Sequence, residues 1–547
     1  MRLPVSDGLA GRRVNTLVRG TVAGIGLLLL TTLVVQGRPG GERLPKRMPL
    51  LMPDDFESMK LVSWRVEEGE PDAHNPLLEP AMPWDSGGIM AHGTVLRDPI
   101  DGLWKAWQVS TPGEAELDGL RVKVGGQRRL TYLESEDGIT WRRPKLSRVH
   151  WIDGRRTNIL LDLDSGGTAA YASVLVDPEN REWPYEMFVL RGPLATAHDR
   201  QVGHLPGPRG KVGGYRYRSK NGVDWRLIEG PLDLGGAGGG SFSYIYRDPD
   251  GSYAAICKSY SGNEHGDRFI PYDNTPHGSL RRLSLRMSED GRAWSGETPL
   301  LGRDWRDAGY AQFMELCPLR VLGGFVAFVT AYDASNQTTM LQLAASRDGV
   351  HWWRPDRRPA LPNPPLGDYG GGMIWQMHHP IVDGDRMYVY YAGSEGLHGE
   401  IHDTRFGPRI EVGNETVIGM QTPTLPVNSA LCRASWRGDR LWALVPSAGG
   451  VTWGEAVTRL RERGGGQLVV NARVKPGGEL RVGLLDAEGR AIPGYSSDDC
   501  VAVTGDVVGH MMHWRGGDTP PNNAVKMHFH MRRTFLYGYD WIKSSSI

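Results

Sequence analysis

Cysteine is scarce: four in 547 residues, at positions 257, 317, 432 and 500, with no Cys-x-x-Cys pair and no Cys/His cluster. That excludes a structural zinc knuckle and a disulfide-stapled scaffold. One long-range disulfide stays open, and buried free thiols are the preferred reading. An excess of charge of one sign is also missing, since 63 Lys and Arg face 63 Asp and Glu. A generic nucleic-acid binder should carry a basic excess, so nucleic acid is not an expected partner. No long apolar run occurs after residue 37, so nothing later is expected to span a membrane. Charged residues make up only 23% and hydrophobic ones 39%, which argues against a largely disordered chain. What is abundant is glycine, at 73, with 37 prolines and 18 tryptophans. Turn formers and tryptophan in such numbers point to an all-β protein. The length allows two to four domains, each large enough to bury a core unaided.

The amino terminus stands apart. Residues 1–19 carry Arg2, Arg12, Arg13 and Arg19 against the single acid Asp7, and Gly20 to Val35 hold no charge. A basic region before a short apolar core reads as a secretory signal peptide. Val35-Gln36-Gly37 is a poor cleavage site, and Gly20 to Gly37 is just long enough to span a bilayer, so an uncleaved anchor is the alternative. Either way the remainder is expected outside the cytoplasm, secreted, periplasmic or at the cell surface, touching membrane only through residues 1–37.

The most specific feature is a repeat. Ser135-Glu-Asp-Gly-Ile-Thr-Trp141 recurs at Ser219 to Trp225, Ser288 to Trp294 and Ser346 to Trp352, each time after an alternating run such as Leu283-Ser-Leu-Arg-Met287. Asp-Gly or Asn-Gly between two alternating runs predicts strand, turn, strand, with the Trp packed back on the sheet. A second repeat precedes the first three copies: Gly93 to Pro99, Ala172 to Pro178 and Ser243 to Pro249, each ending in Asp-Pro. The fourth is degenerate, Glu315 to Gly324, and a fifth unit starts at Met373-Ile-Trp-Gln-Met-His-His-Pro380. About four strands per unit, repeated in series, predict a five-bladed β-propeller over residues 80–455. Residues 38–79 are expected to be a linker or N-terminal segment. After Gly464-Gly-Gly466, clean alternation over 464–547 predicts a C-terminal β-sandwich.

The Ser-x-Asp-Gly-x-x-Trp copies resemble the Asp-box repeats of propeller glycosidases. The layout resembles the five-bladed invertase/arabinanase group of glycoside hydrolases, families 32, 43 and 68. It is most similar to extracellular planctomycete-type proteins described as glycosyl hydrolase family 32 N-terminal domain-like, through Pro83-Trp84-Asp85, Ser135 to Pro144, Asp486 to Gly489, Gly494-Tyr495-Ser496 and Trp514. The resemblance covers residues 80–542 and implies a carbohydrate substrate hydrolysed by carboxylate acid/base catalysis. A non-catalytic carbohydrate-binding or interaction propeller of the cell envelope is the alternative, because His92-Gly-Thr94 stands where the invertase group has an inner-strand Asp.

Glu315 leads the catalytic candidates, as a lone acid in Phe313-Met-Glu-Leu-Cys-Pro318. An acid among apolar neighbours is costly to bury unless it is used or paired, and burial would raise its pKa as a general acid requires. The resemblance is to the Glu-Cys-Pro stretch of that glycosidase group, although Leu316 interrupts it and the blade differs. A purely structural reading pairs Glu315 with Arg306 or Arg320. Asp85 is the second candidate carboxylate, and Trp84, His92, Asp368, Trp375 and His378 are candidate substrate-binding residues. Asp98, Asp177 and Asp248 read as turn residues, since a catalytic group should not recur at the repeat period. His528-Phe-His530 reads as a solvated strand face and no metal site is expected, so no cofactor is called for beyond a Ca²⁺ that a central channel would accommodate.

Overall fold

A computed structural model describes residues 50–542 apart from 112–113, 118–119, 124–127, 152, 162–167, 193–212, 233, 235–241, 249, 261–279, 399–409, 413–414, 418–427, 448–452 and 461–465. The segment 1–37, expected as signal or anchor, lies outside these residues. Among the described residues no helix is long and apolar enough to cross a membrane. The described chain is all-β, with a 3-10 turn at Pro53–Asp55 ahead of its first strand.

Antiparallel meanders follow one another along the sequence. The first has Gly88–Arg97, Trp104–Thr111 and Arg129–Ser135. The second has Thr168–Val176, Tyr185–Gly192, Gly213–Ser219 and Trp225–Leu232, and the third Phe242–Arg247, Tyr253–Tyr260, Arg281–Ser288 and Thr298–Leu301. The fourth, Ala311–Val321, Gly324–Asp333 and Thr338–Ser346, touches the fifth through one parallel pairing, Thr339 with Met373. The fifth has Met373–Gln376, Arg386–Ser394 and Ser429–Arg437, and its outer strand is Glu70–Pro71 from far upstream.

The repeated turns are built alike. The serine hydroxyl accepts the glycine amide at 2.9, 3.0, 2.9 and 2.8 Å in the four copies. The Asp or Asn carbonyl-type oxygen caps the amides that follow, as Asp137 does for Ile139 and Thr140, both at 2.7 Å. Each glycine is left-handed, with φ between 71° and 77°, and at Gly138 a Cβ would stand 2.6 Å from the Tyr390 hydroxyl. Trp141 and Trp352 return their indole N–H to that glycine's carbonyl.

The Asp-Pro aspartates do more than turn the chain. Each accepts a group from the following meander: Tyr185 on Asp98 at 2.5 Å, Arg247 on Asp177 at 3.5 Å and Arg320 on Asp248 at 3.3 Å. Asp98 is buried and also holds Lys105 at 2.5 Å. In the fifth meander, Asp383 faces Arg97 of the first at 3.7 Å.

Seven further strands form a curled, half-barrel sheet, and short two-stranded ribbons lie at Glu114–Leu117 with Leu120–Lys123, Leu146–His150 with Arg156–Thr157, and Ile410–Val412 with Glu415–Val417. Gln467–Leu485 and Lys526–Ile542 run antiparallel over almost their whole length, interrupted by a register shift between Val474 and Glu479. Leu468, Val470, Leu480, Val482, Met527, Phe529 and Met531 face its core. Residues expected above as linker join this sheet: Phe56–Lys60 pairs with Gly454–Thr458, and Val62–Val66 with Trp442–Pro446. All four cysteines are buried and unpaired.

Candidate functional site

The first strands of four meanders share one irregularity. Pairing slips between Met90 and Thr94, Ala169 and Tyr171, Phe242 and Tyr244, and Phe313 and Glu315. Such bulges re-aim side chains. His92, inside the first slip, is left-handed at φ +48°. Its neighbour Gly93 lies against the Trp107 carbonyl, where a Cβ would come within 2.0 Å. Backbone that crowded accepts only glycine.

These slips bring His92 and Glu315, 223 residues apart, to 2.8 Å between Nδ1 and Oε1. Both are buried, with none of Glu315 exposed. The Thr330 hydroxyl donates to Glu315 Oε2 at 3.1 Å, and Gln376 Nε2 reaches that hydroxyl at 3.2 Å and the Phe328 carbonyl at 3.0 Å. Aromatic rings enclose the pair: Tyr171 and Trp375 stand 4.5 and 5.0 Å from the His92 ring. His378, fully buried, lies 4.6 Å from the Tyr244 ring. Lys258 donates to the Tyr171 hydroxyl and sits 4.5 Å from the centre of that ring.

Charge follows from this geometry. Burial pushes the Glu315 carboxyl up, but the His92 hydrogen bond and the charges of His92, His378 and Lys258 outweigh it, so Glu315 lies below its ordinary value. Burial lowers His92, against the opposing hydrogen bond and charge of Glu315. Burial brings His378 down to about 4 and Lys258 down to about 8, Glu315 opposing both. The expected upward shift at Glu315 is therefore reversed by its partners: the site holds a buried anion, with Lys258 as its nearby proton carrier.

Four of the sequence-derived candidates meet here: Glu315, His92, Trp375 and His378. Trp375 is 7% exposed and packs on His92 rather than offering an open face. The other three lie elsewhere. Asp85 accepts the amides of Ala81 and Met82 at 2.9 and 2.6 Å and pairs with Arg143 at 2.7 Å, so it caps a turn and holds an arginine. Trp84 is buried, its indole N–H on Asn158 at 2.7 Å. Asp368 is exposed in the turn before the fifth meander. The structural pairing expected for Glu315 also differs. Arg320 takes Asp248, and His92, not an arginine, holds Glu315.

Tyr171, Thr330, Gln376 and Lys258 were not anticipated. Tyr171 had a signal. His92 and Glu315 each stand five residues before the arginine that reaches the preceding meander, Arg97 and Arg320, and Tyr171 holds the same place before Val176. The same position therefore supplies the site in three meanders, while in the third meander it holds Phe242. Lys258 lies on a second strand and nothing in the repeat singles it out.

The sequence matches no family model and no curated protein. Solved structures similar to it include a β-1,2-mannobiose phosphorylase from Listeria innocua in complex with β-1,2-mannobiose, 12% identical over 68% of this chain and 98% of that one, with a TM-score of 0.41. Another is an N-acetylgalactosamine deacetylase from F. plautii in complex with blood group B trisaccharide, 14% identical over 70% and 97%, TM-score 0.40. A glycosyl hydrolase from Bacteroides ovatus is 13% identical over 71% and 96%, TM-score 0.39. These proteins differ in chemistry, so the likeness assigns none to this chain.

Proposed function

We propose that this chain is an exported carbohydrate-active propeller protein that cleaves glycosidic bonds of a poly- or oligosaccharide, with Glu315 as its central carboxylate. The observation that carries the reading is a wholly buried carboxylate, held as an anion by His92 and Thr330, with Tyr171 and Trp375 packed against the His92 ring. Five blades, with Glu70–Pro71 completing the last, are supported by the joins between consecutive meanders and by Arg97 on Asp383 between the fifth and first; the expected bound of 455 is too long, because Trp442–Pro446 pairs in the curled sheet. The His378 amide on the Gly93 carbonyl at 2.7 Å supports the same closure. The C-terminal domain is supported by the single curled sheet: three of its strands lie within 464–547, and Phe56–Lys60, Val62–Val66, Trp442–Pro446 and Gly454–Thr458 join them. The basic-then-apolar segment 1–37 supports export.

An anionic Glu315 suits the nucleophile, or the base that activates water, and stabilises positive charge developing on a sugar ring. The acid role expected for it passes to the Tyr171–Lys258 pair, because an ammonium near 8 holds a proton at neutral pH and releases it readily. Side chains supply both charges, so the reading calls for no cofactor. One observation favours the non-catalytic carbohydrate-binding alternative. Glu315 exposes no surface, and no second carboxylate among the described residues figures among the main influences on its charge.

A polysaccharide panel assayed by reducing-end release identifies the substrate, and Glu315→Gln then tests the role. The variant keeps the size but loses the anion and one of its two acceptor oxygens, and the rate should fall about 10²–10⁴-fold. Wild-type turnover in that variant removes Glu315 from the chemistry, and no release from any member of the panel moves the weight to the binding reading.

A further inference from the structure

The curled sheet carries a second cluster, on its outer face and unconnected with Glu315. Along Lys526–Ile542 the side chains alternate: Met527, Phe529 and Met531 are fully buried, while His528 and His530 point the other way and are partly exposed. On the neighbouring strand Gly454–Thr458, Glu455 stands opposite His530 and one step from His528. His528 Nε2 lies 3.3 Å from Glu455 Oε2, and the two imidazole rings are 4.0 Å apart. One ligand atom from each of the three lies within 4.8 Å of the others.

A purely solvated face does not account for this arrangement. Glu455 occupies His528, while the ring of His530 packs against that second imidazole at 4.0 Å. Zinc–nitrogen and zinc–oxygen bonds of about 2.0–2.1 Å at tetrahedral angles set ligand atoms about 3.3 Å apart. The Glu455–His528 edge already has that length. Arg481, opposite His530 on the other flank, is drawn away by Glu479 at 3.0 Å and the Cys500 carbonyl at 3.1 Å.

We propose that Glu455, His528 and His530 form a divalent-metal site, zinc by its ligand chemistry, with a fourth position open to water. Two borderline imidazole nitrogens beside one hard carboxylate suit zinc over magnesium or calcium. The ion would clip the strand Gly454–Thr458 to Lys526–Ile542, which the His528–Glu455 contact already joins on this face.

The test uses the full chain, stripped with EDTA and dialysed. Zn²⁺ is titrated by calorimetry, and Co²⁺ by visible absorption, which reports four-coordinate geometry. One tight equivalent and intense d–d bands are expected, with a higher Tm in the zinc-loaded protein. His528→Ala and His530→Gln should each weaken the tight equivalent more than about 100-fold, and Glu455→Gln about tenfold. Glu455→Gln, the mildest change, serves where a histidine variant fails to fold by circular dichroism. Affinity unchanged in the folded variants, or wild-type binding no tighter than about 1 mM, overturns the site.

Discussion

His378 is fully buried, and neither of its ring nitrogens meets hydrogen-bonding geometry. The Ala172 carbonyl pulls toward the charged ring but already accepts from Thr94 at 3.0 Å. Glu315 also favours the charged ring, while His92 and His379 oppose it, and burial dominates, so the folded value sits at about 4 against an ordinary 6.5. Between those values the unfolded chain takes up a proton that the folded one does not, so stability rises with pH. It is complete above about 6.5 and is lost on acidification toward 4, by at most about 3 kcal/mol from this group. His92, also depressed, adds in the same direction. Urea midpoints measured from pH 7 down to 4.5 should therefore fall, and less steeply in His378→Gln. Parallel slopes in the two proteins would remove the imidazole from the effect. At this scale Glu315 was legible, because an acid between Met314 and Leu316 breaks an apolar run. Asp85 misled because Trp-Asp-Ser-Gly-Gly has the same composition whether it lines a site or caps a turn.

The elements differ in how local their causes are. The Ser-x-Asp-Gly turns were readable because their hydrogen bonds close within three residues and their glycines supply the positive φ. The bulges were not, because a slipped register depends on the partner strand. Gly93 shows what holds one in place: a Cβ would meet the Trp107 carbonyl at 2.0 Å and Gln108 Cα at 2.7 Å, both backbone atoms in a paired strand. Gly93→Ala should cost about 2–4 kcal/mol and displace His92, lowering Tm and, on the proposed substrate, turnover together. A variant with wild-type Tm would show that the strand accommodates the methyl and that the bulge is not held by this contact.

For the whole molecule, residues 50–71 tie the parts together. Asp55 holds Arg347 of the fourth meander at 2.8 Å, and the Leu51 carbonyl accepts the Trp442 indole at 2.8 Å. Phe56–Lys60 and Val62–Val66 end the hydrogen-bonded order of the curled sheet, covering strands that would otherwise present bare edges. A chain beginning at residue 67 should therefore aggregate on expression, whereas one beginning at residue 50 stays soluble, as sedimentation of the two lysates would show. Equal solubility would mean that these strands are dispensable covers. The all-β class, the repeated meanders and the alternating tail were determined by the sequence itself, since period-two patterning and turn chemistry act between near neighbours. Which strand closes the fifth meander, that the N-terminal segment completes the last sheet, and that His92 reaches Glu315 were decided only by the tertiary structure. Each depends on pairing residues hundreds of positions apart, and neither edge-strand hydrogen bonds nor bulges leave a periodic trace in the chain.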